Sequence, residues 1–243
     1  MPRGRTPLVR LLSAVVAAVL WVGLPGAASA ALVEGARALS PAAPPQRPLF
    51  AEELEWRRSQ ALGAPWAGCL LGGVRLPREG SYFFTWDPVL KRSPNRAWRR
   101  WGSDRLVRVL LGVLRDFAAA HPRAARVGVG DLSRPAGGDF GVRFGGLGHV
   151  SHQNGLDVDV YYPRRDRAER PPARPDQIDV RLAQELVDRF LARGAAKVFV
   201  GPRTPLHGPP QIVQKLAHHD NHLHVRIRAS DSTARSGRAP RSC

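Results

Sequence analysis

The sequence predicts an α+β fold, with a small, mainly antiparallel sheet, flanking helices and long loops. Two segments carry apolar residues at helical spacing, and a few short segments have strand character. The 24 glycines and 22 prolines break the remainder into loops. At 243 residues the chain is long enough for one full-sized globular domain, and its 43% hydrophobic content excludes a wholly disordered protein.

Taken in order, residues 1–30 read as a secretory signal. Arg3, Arg5 and Arg10 form a positive start, Leu11 to Leu24 are uncharged and mostly apolar, and Pro25 and Gly26 break the run before Ala28-Ser29-Ala30, a small-residue cleavage pattern. An uncleaved anchor is the alternative, but the apolar run is shorter than the ~20 residues a bilayer span needs. The expectation is a periplasmic or secreted protein with no stable membrane anchor after cleavage. Residues 31–64 read as an Ala/Pro-rich linker, extended by Pro41, Pro44, Pro45 and Pro48, with a short helix over 51–61 that begins near Glu52, Glu53 and Glu55. The compact domain is expected over 65–229, followed by a polar tail over 230–243.

Within the domain, Ser103 caps a predicted helix to about Ala120, with Leu106, Leu110, Val113, Leu114 and Phe117 on one face and Pro122 past its end. Val127–Val129 reads as a strand, and glycines from Gly128 to Gly148 punctuate the stretch after it. Leu156–Tyr162 is the next strand, then a basic, Pro-rich loop over 163–175. A second helix runs from Asp179 to Arg193 on a stripe of Leu182, Leu186 and Phe190, with Gly194 just past its end. Lys197–Val200 and His222–Ile227 also have strand character.

The formal charge is +17, and the signal contributes arginines but no acids, so the mature chain stays strongly basic. That balance implies either a polyanionic partner or a merely very soluble surface. The two cysteines are too few for a disulfide-built miniprotein or a thiolate zinc site, so any metal must be held by His and carboxylate. In an oxidising compartment Cys69 and Cys243 can tie the ends of the domain together; closing a loop of about 175 residues is worth up to ~5 kcal/mol before strain is subtracted. Two unrelated thiols are the alternative.

Two windows carry the chemistry, Gly148 to Asp159 and His218 to Val225. His222 and His224 stand two apart on a predicted strand, so both imidazoles leave the same face; Asp157 and Asp159 obey the same rule on theirs. If the strands are neighbours, two histidines and a carboxylate converge with His152, at the turn entering the first strand. Two His and a carboxylate leave one coordination position for water, the composition of a hydrolytic zinc site. The bland reading is solvated histidines and turn carboxylates, but independent surface residues have no reason to repeat metal spacing. Asp157 reads either as a partner that orients a ligand histidine or as a plain strand-end carboxylate.

These windows resemble those of the penicillin-insensitive murein endopeptidases, in the superfamily of the D-Ala-D-Ala metallopeptidases and the hedgehog domain. The superfamily pattern of His, Gly, Asp and a later His-x-His is met by His152, Gly155, Asp159, His222 and His224. Closer family marks are His149, His219, Gly130-Asp131, Pro135-Ala136-Gly137-Gly138, Gly68-Cys69-Leu70, Leu76-Pro77 and the terminal cysteine. The likeness covers about residues 66 to 228. It implies a hedgehog/D-Ala-D-Ala-peptidase-like fold with one catalytic Zn2+ on His152, Asp159 and His224. His222 would be the catalytic histidine, a base or transition-state stabiliser, with His149 and His219 lining the same cleft and His219 its candidate catalytic companion.

Some family members use a second, accessory metal, but no Asp-x-x-His lies between Tyr161 and Asp179, so a second ion is not supported. The implied substrate is peptidoglycan, cut at D-alanyl–diaminopimelate cross-links by a zinc-activated water. The stretch Lys91, Arg92, Arg96, Trp98, Arg99, Arg100 and Trp101 reads either as a wall-contact surface or as a solvated helix entry with a core Trp. Its basic and aromatic composition also describes single-stranded nucleic-acid grooves, but an exported protein rarely meets that ligand, so no nucleic acid is expected. The alternatives are a D,D-carboxypeptidase on free stem peptides, a catalytically silent zinc protein that binds the wall, and a metal-free basic binding protein.

Overall fold

The computed structural model describes residues 54–142 and 149–229. The expected signal, most of the expected linker, Gly145, Gly146, Gly148 and residues 230–243 lie outside the described residues, as does Cys243 and with it the expected pairing with Cys69. Among the described residues no helix is long and apolar enough to cross a membrane.

Among the described residues ten strands and two α-helices follow one another. They are β1 (Gln60–Ala64), β2 (Ala67–Leu71), β3 (Val74–Arg75), β4 (Phe83–Thr85), β5 (Trp101–Gly102), α1 (Asp104–Ala120), β6 (Val127–Val129), β7 (Asp157–Tyr161), α2 (Val180–Ala192), β8 (Ala195–Val200), β9 (Val213–Lys215) and β10 (His222–Ile227). The main sheet has the order β4-β6-β7-β10-β8-β9. Its centre, β6 to β8, is antiparallel, whereas β4 joins β6 and β9 joins β8 in parallel. Two small antiparallel pairs, β1–β2 and β3–β5, complete an α+β fold.

Alternation on the two central strands separates core from site. Val158 and Val160 leave one face of β7, and the register sets them opposite Val225 and Leu223 of β10. All four are fully buried, in one cluster with Leu106, Leu110, Leu114 and Phe117 of α1 and Leu186 and Phe190 of α2. The other face then sets Asp159 opposite His224, Asp157 opposite Arg226 and Tyr161 opposite His222. A one-residue slip would drive the carboxylates into the core. Each buried Val or Leu, worth ~1.5–3 kcal/mol, therefore also holds the register that builds the site.

Both helices form as expected. The Ser103 hydroxyl accepts the Leu106 N–H at 3.1 Å, and an Asp179 carboxylate oxygen accepts the Leu182 N–H at 3.1 Å. The short helix expected over 51–61 is a correction: Leu54–Ser59 has no regular element and Gln60–Ala64 is strand. Pairing with β2 across the Pro65-Trp66 turn satisfies this backbone, and Ser59 is held at α1, its hydroxyl 2.6 Å from an Asp104 carboxylate oxygen and accepting the Asp104 N–H. The basic stretch over 91–101 is not a continuous contact face either. Lys91 and Arg92 are exposed, but Arg99 and Arg100 are buried, Arg96 pairs with Asp87, and Trp98 and Trp101 are half-buried.

Candidate metal centre

The turn into β7 places His152 and needs unusual backbone to do so. His152 has φ +70° and Gly155 φ +73°. A Cβ on Gly155 would lie 2.8 Å from a Leu70 methyl and 2.9 Å from the Ser103 nitrogen, so only glycine fits. The strained histidine backbone is held by its N–H, which donates to Asp157 Oδ2 at 3.2 Å. The ring is fixed too: Nδ1 donates to the Leu132 carbonyl at 2.5 Å, which turns Nε2 towards Asp159 Oδ1 at 3.4 Å. Both of those atoms are buried, and neither has a hydrogen-bond partner.

Asp159 Oδ1 is the hub of the cluster. Around it stand His152 Nε2, His224 Nδ1 at 3.2 Å and His222 Nε2 at 3.7 Å, while His149 Nε2 lies 3.8 Å from Oδ2. Burial opposes the Asp159 charge, but the neighbouring imidazoles outweigh it and hold the carboxyl well below its ordinary range. His149, His152 and Asp159 form a group whose ligand atoms all lie within 4.8 Å of one another and could hold a metal ion. His224 stands beside it, its ring 4.7 Å from that of His152.

The surrounding groups differ in what they can still do. Asp157 is fully buried; it accepts Arg226 Nε at 2.7 Å and faces His224 Nε2 at 3.3 Å. Burial works against a charged His224, but Asp157 and Asp159 raise it to about 9. His222 goes the other way. Burial pushes it down to about 4, with His219 and His224 adding repulsion, and its Nδ1 donates to Asn221 Oδ1 at 2.7 Å. Burial also lowers His219, whose ring lies 4.8 Å from that of His222. His149 Nε2 is 2.9 Å from Asp131 Oδ2, and the buried Asp131 is clamped by Arg99 and by Asn95 Nδ2 at 3.0 Å.

These groups open into a cleft of about 710 Å3, walled by Phe199, Tyr161 and Arg226 and rimmed by the exposed Trp66, Val150 and Leu216. All the histidine and aspartate candidates of the two windows thus come together around one face of β7 and β10. Sequence reasoning assigned no role here to Arg99, Arg226, Trp66 or Phe199, and treated Asp131 only as a family mark. The one available signal was local: Arg226 shares the strand parity of His222 and His224.

The sequence profile of the penicillin-insensitive murein endopeptidase family matches residues 61–202, which include the first window, while the second lies beyond the matched segment. The penicillin-insensitive murein endopeptidase of Yersinia enterocolitica is 29% identical over 199 residues, covering 70% of this chain and 66% of its own. Those of Yersinia pestis and Salmonella paratyphi C are 33% and 32% identical over 124 residues, or 50% of this chain and 40% of theirs. The chain therefore spans between 40% and 66% of the length of these relatives.

Proposed function

The chain belongs to the penicillin-insensitive murein endopeptidase family, and from that premise we propose that it is a zinc-dependent peptidase hydrolysing the D-alanyl–diaminopimelate cross-links of peptidoglycan. The observation that carries this reading is the buried His152 Nε2 and Asp159 Oδ1, 3.4 Å apart, neither with a hydrogen-bond partner. Two acceptors facing each other out of water cost free energy unless a cation or proton joins them. His152 Nε2, Asp159 and His224 Nδ1 are the proposed ligands of a single zinc. Zinc held there supplies a Lewis acid for the scissile carbonyl and a water acidic enough to react near neutral pH.

The chain's own side chains do the rest. The Leu132 carbonyl fixes the His152 tautomer, and Asp157 takes the remaining N–H of His224, so both ligand rings are held in place. His222 is neutral at physiological pH with Nε2 turned to the cleft, which suits it to take a proton from the attacking water and pass it on to the leaving amine. His219 stands beside His222 as its companion. His149, tied to Asp131, lines the cleft, and Phe199 and the apolar rim exclude water around the scissile bond. The reading includes export through a cleaved signal, a periplasmic or secreted location, and a Cys69–Cys243 bridge.

Digestion of purified muropeptides by the mature chain, with chelator and with zinc restored, tests it. Zinc-dependent conversion of cross-linked dimers to monomers is expected. Loss of only a terminal alanine moves the assignment to a D,D-carboxypeptidase, and zinc binding without any product moves it to a silent wall-binding protein.

A further inference from the structure

A second cavity, of about 350 Å3, lies where the end of α1, the end of β7 and the loop from β7 to α2 meet. Seven arginines line it against one carboxylate, Asp179. Two of the seven are neutralised and fixed. Arg126 is clamped between Glu169, at 2.7 and 2.8 Å, and Glu79, at 2.9 Å; the buried Arg164 binds Asp166 at 2.7 Å and Gln177 Oε1 at 2.8 Å. The other five, Arg123, Arg165, Arg167, Arg170 and Arg181, are exposed and form no ion pair with a described carboxylate. The nearby acids are already engaged: Asp166 by Arg164, Glu169 by Arg126, and Asp179 by the Leu182 N–H.

The loop that presents these arginines is tied down. Arg165 N–H donates to the Gln177 carbonyl at 3.0 Å, Asp179 N–H to that of Pro163 at 2.8 Å, and Arg165 Nε to that of Ile178 at 2.9 Å. Like charges held in a concavity repel one another and focus a positive field into it, which a bound anion relieves. One carboxylate would answer only one of five guanidinium groups. A phosphate group offers several oxygens to several planar forks at once. The small volume sits at the low end of the ~300–1,000 Å3 usual for ligand sites, which favours a compact group over a long polymer.

We propose that this cavity binds a multiply charged phosphate-bearing ligand, at a site distinct from the metal centre although Tyr161 lines both. Calorimetry on the full chain tests it with pyrophosphate, and with tricarballylate as a carboxylate of comparable charge. Sedimentation with phosphatidylcholine vesicles, with and without phosphatidic acid, tests for a lipid headgroup. Arg167→Glu/Arg170→Glu should weaken phosphate binding at least ~tenfold, the loss of two charge-assisted contacts, and Arg58→Glu/Arg105→Glu, the same charge change on exposed residues outside the cavity, should leave it nearly intact. Saturable binding of free pyrophosphate, or of phosphatidic acid vesicles alone, supports the site and identifies its source. Equal losses in both double variants, tricarballylate binding as tight as pyrophosphate, or no saturable phosphate binding overturns it. None of these readouts involves hydrolysis, so their failure is separable from failure of the peptidase reading.

Discussion

The histidine cleft and the arginine cavity share Tyr161 yet treat charge in opposite ways. In the cleft, Asp131, Asp157 and Asp159 are buried, and imidazole or guanidinium groups surround each. In the cavity, exposed guanidinium groups outnumber the carboxylates that could answer them. A buried charge without a partner costs several kcal/mol, so the cleft has to be nearly balanced from within. Exposed charges are screened at little cost, so the cavity can keep its excess for a ligand. The buried His152 Nε2 and Asp159 Oδ1, neither with a hydrogen-bond partner, are therefore the more telling observation.

Substitutions should separate the two regions sharply. The largest effect is expected from His152→Ala, which removes a proposed ligand: zinc is lost and muropeptide turnover falls ~10⁴-fold or more. Arg167→Glu should keep both zinc and turnover. His222→Ala should retain zinc while kcat falls ~10²–10⁴-fold, the usual contribution of a positioned base. Loss of zinc in that variant would make His222 a ligand instead.

Asp131→Asn should leave Arg99 buried without its counter-charge and cost ~3–5 kcal/mol in urea unfolding. Burial opposes the Asp131 charge, but His149 and Arg99 outweigh it and hold the folded pKa below its unfolded value. The stabilisation is thus fully present above about pH 4 and is lost as pH falls through the folded pKa, so the gap between wild type and variant should narrow in acid. A gap that stays constant from neutral to strongly acidic pH contradicts the pairing. The smallest effect is expected from Asp157→Asn, which weakens the hold on the His224 ring and should reduce zinc affinity ~10–100-fold, measured by competition with a chromophoric chelator.

The sequence made some parts of this molecule legible and hid others for physical reasons. Both helices showed themselves through a continuous apolar stripe and a capping residue, signals contained within one contiguous segment of chain. β7 and β10 showed themselves through alternation, and the same parity put Asp157, Asp159, His222 and His224 on one face once the strands paired. By contrast, β3, β4, β5 and β9 are only two or three residues long, too short for any period, and exist through partners distant in the chain. The false helix at 51–61 failed for a different reason: its glutamates fit a first turn, but hairpin pairing with β2 across Pro65-Trp66 claimed Gln60–Ala64. The Arg99–Asp131–His149 chain was equally invisible, because its members come from three separate segments and meet only in the folded protein. Arg99 looked like part of a surface patch until its burial was seen.

The central claim is that a divalent ion completes the buried space between His152 and Asp159. Elemental analysis of the native full chain, alongside His152→Ala, His224→Ala and His222→Ala, tests it most directly. One zinc per chain is predicted for the native protein and for His222→Ala, and none for the other two. Native protein that hydrolyses cross-links at full rate with its centre empty would contradict the account.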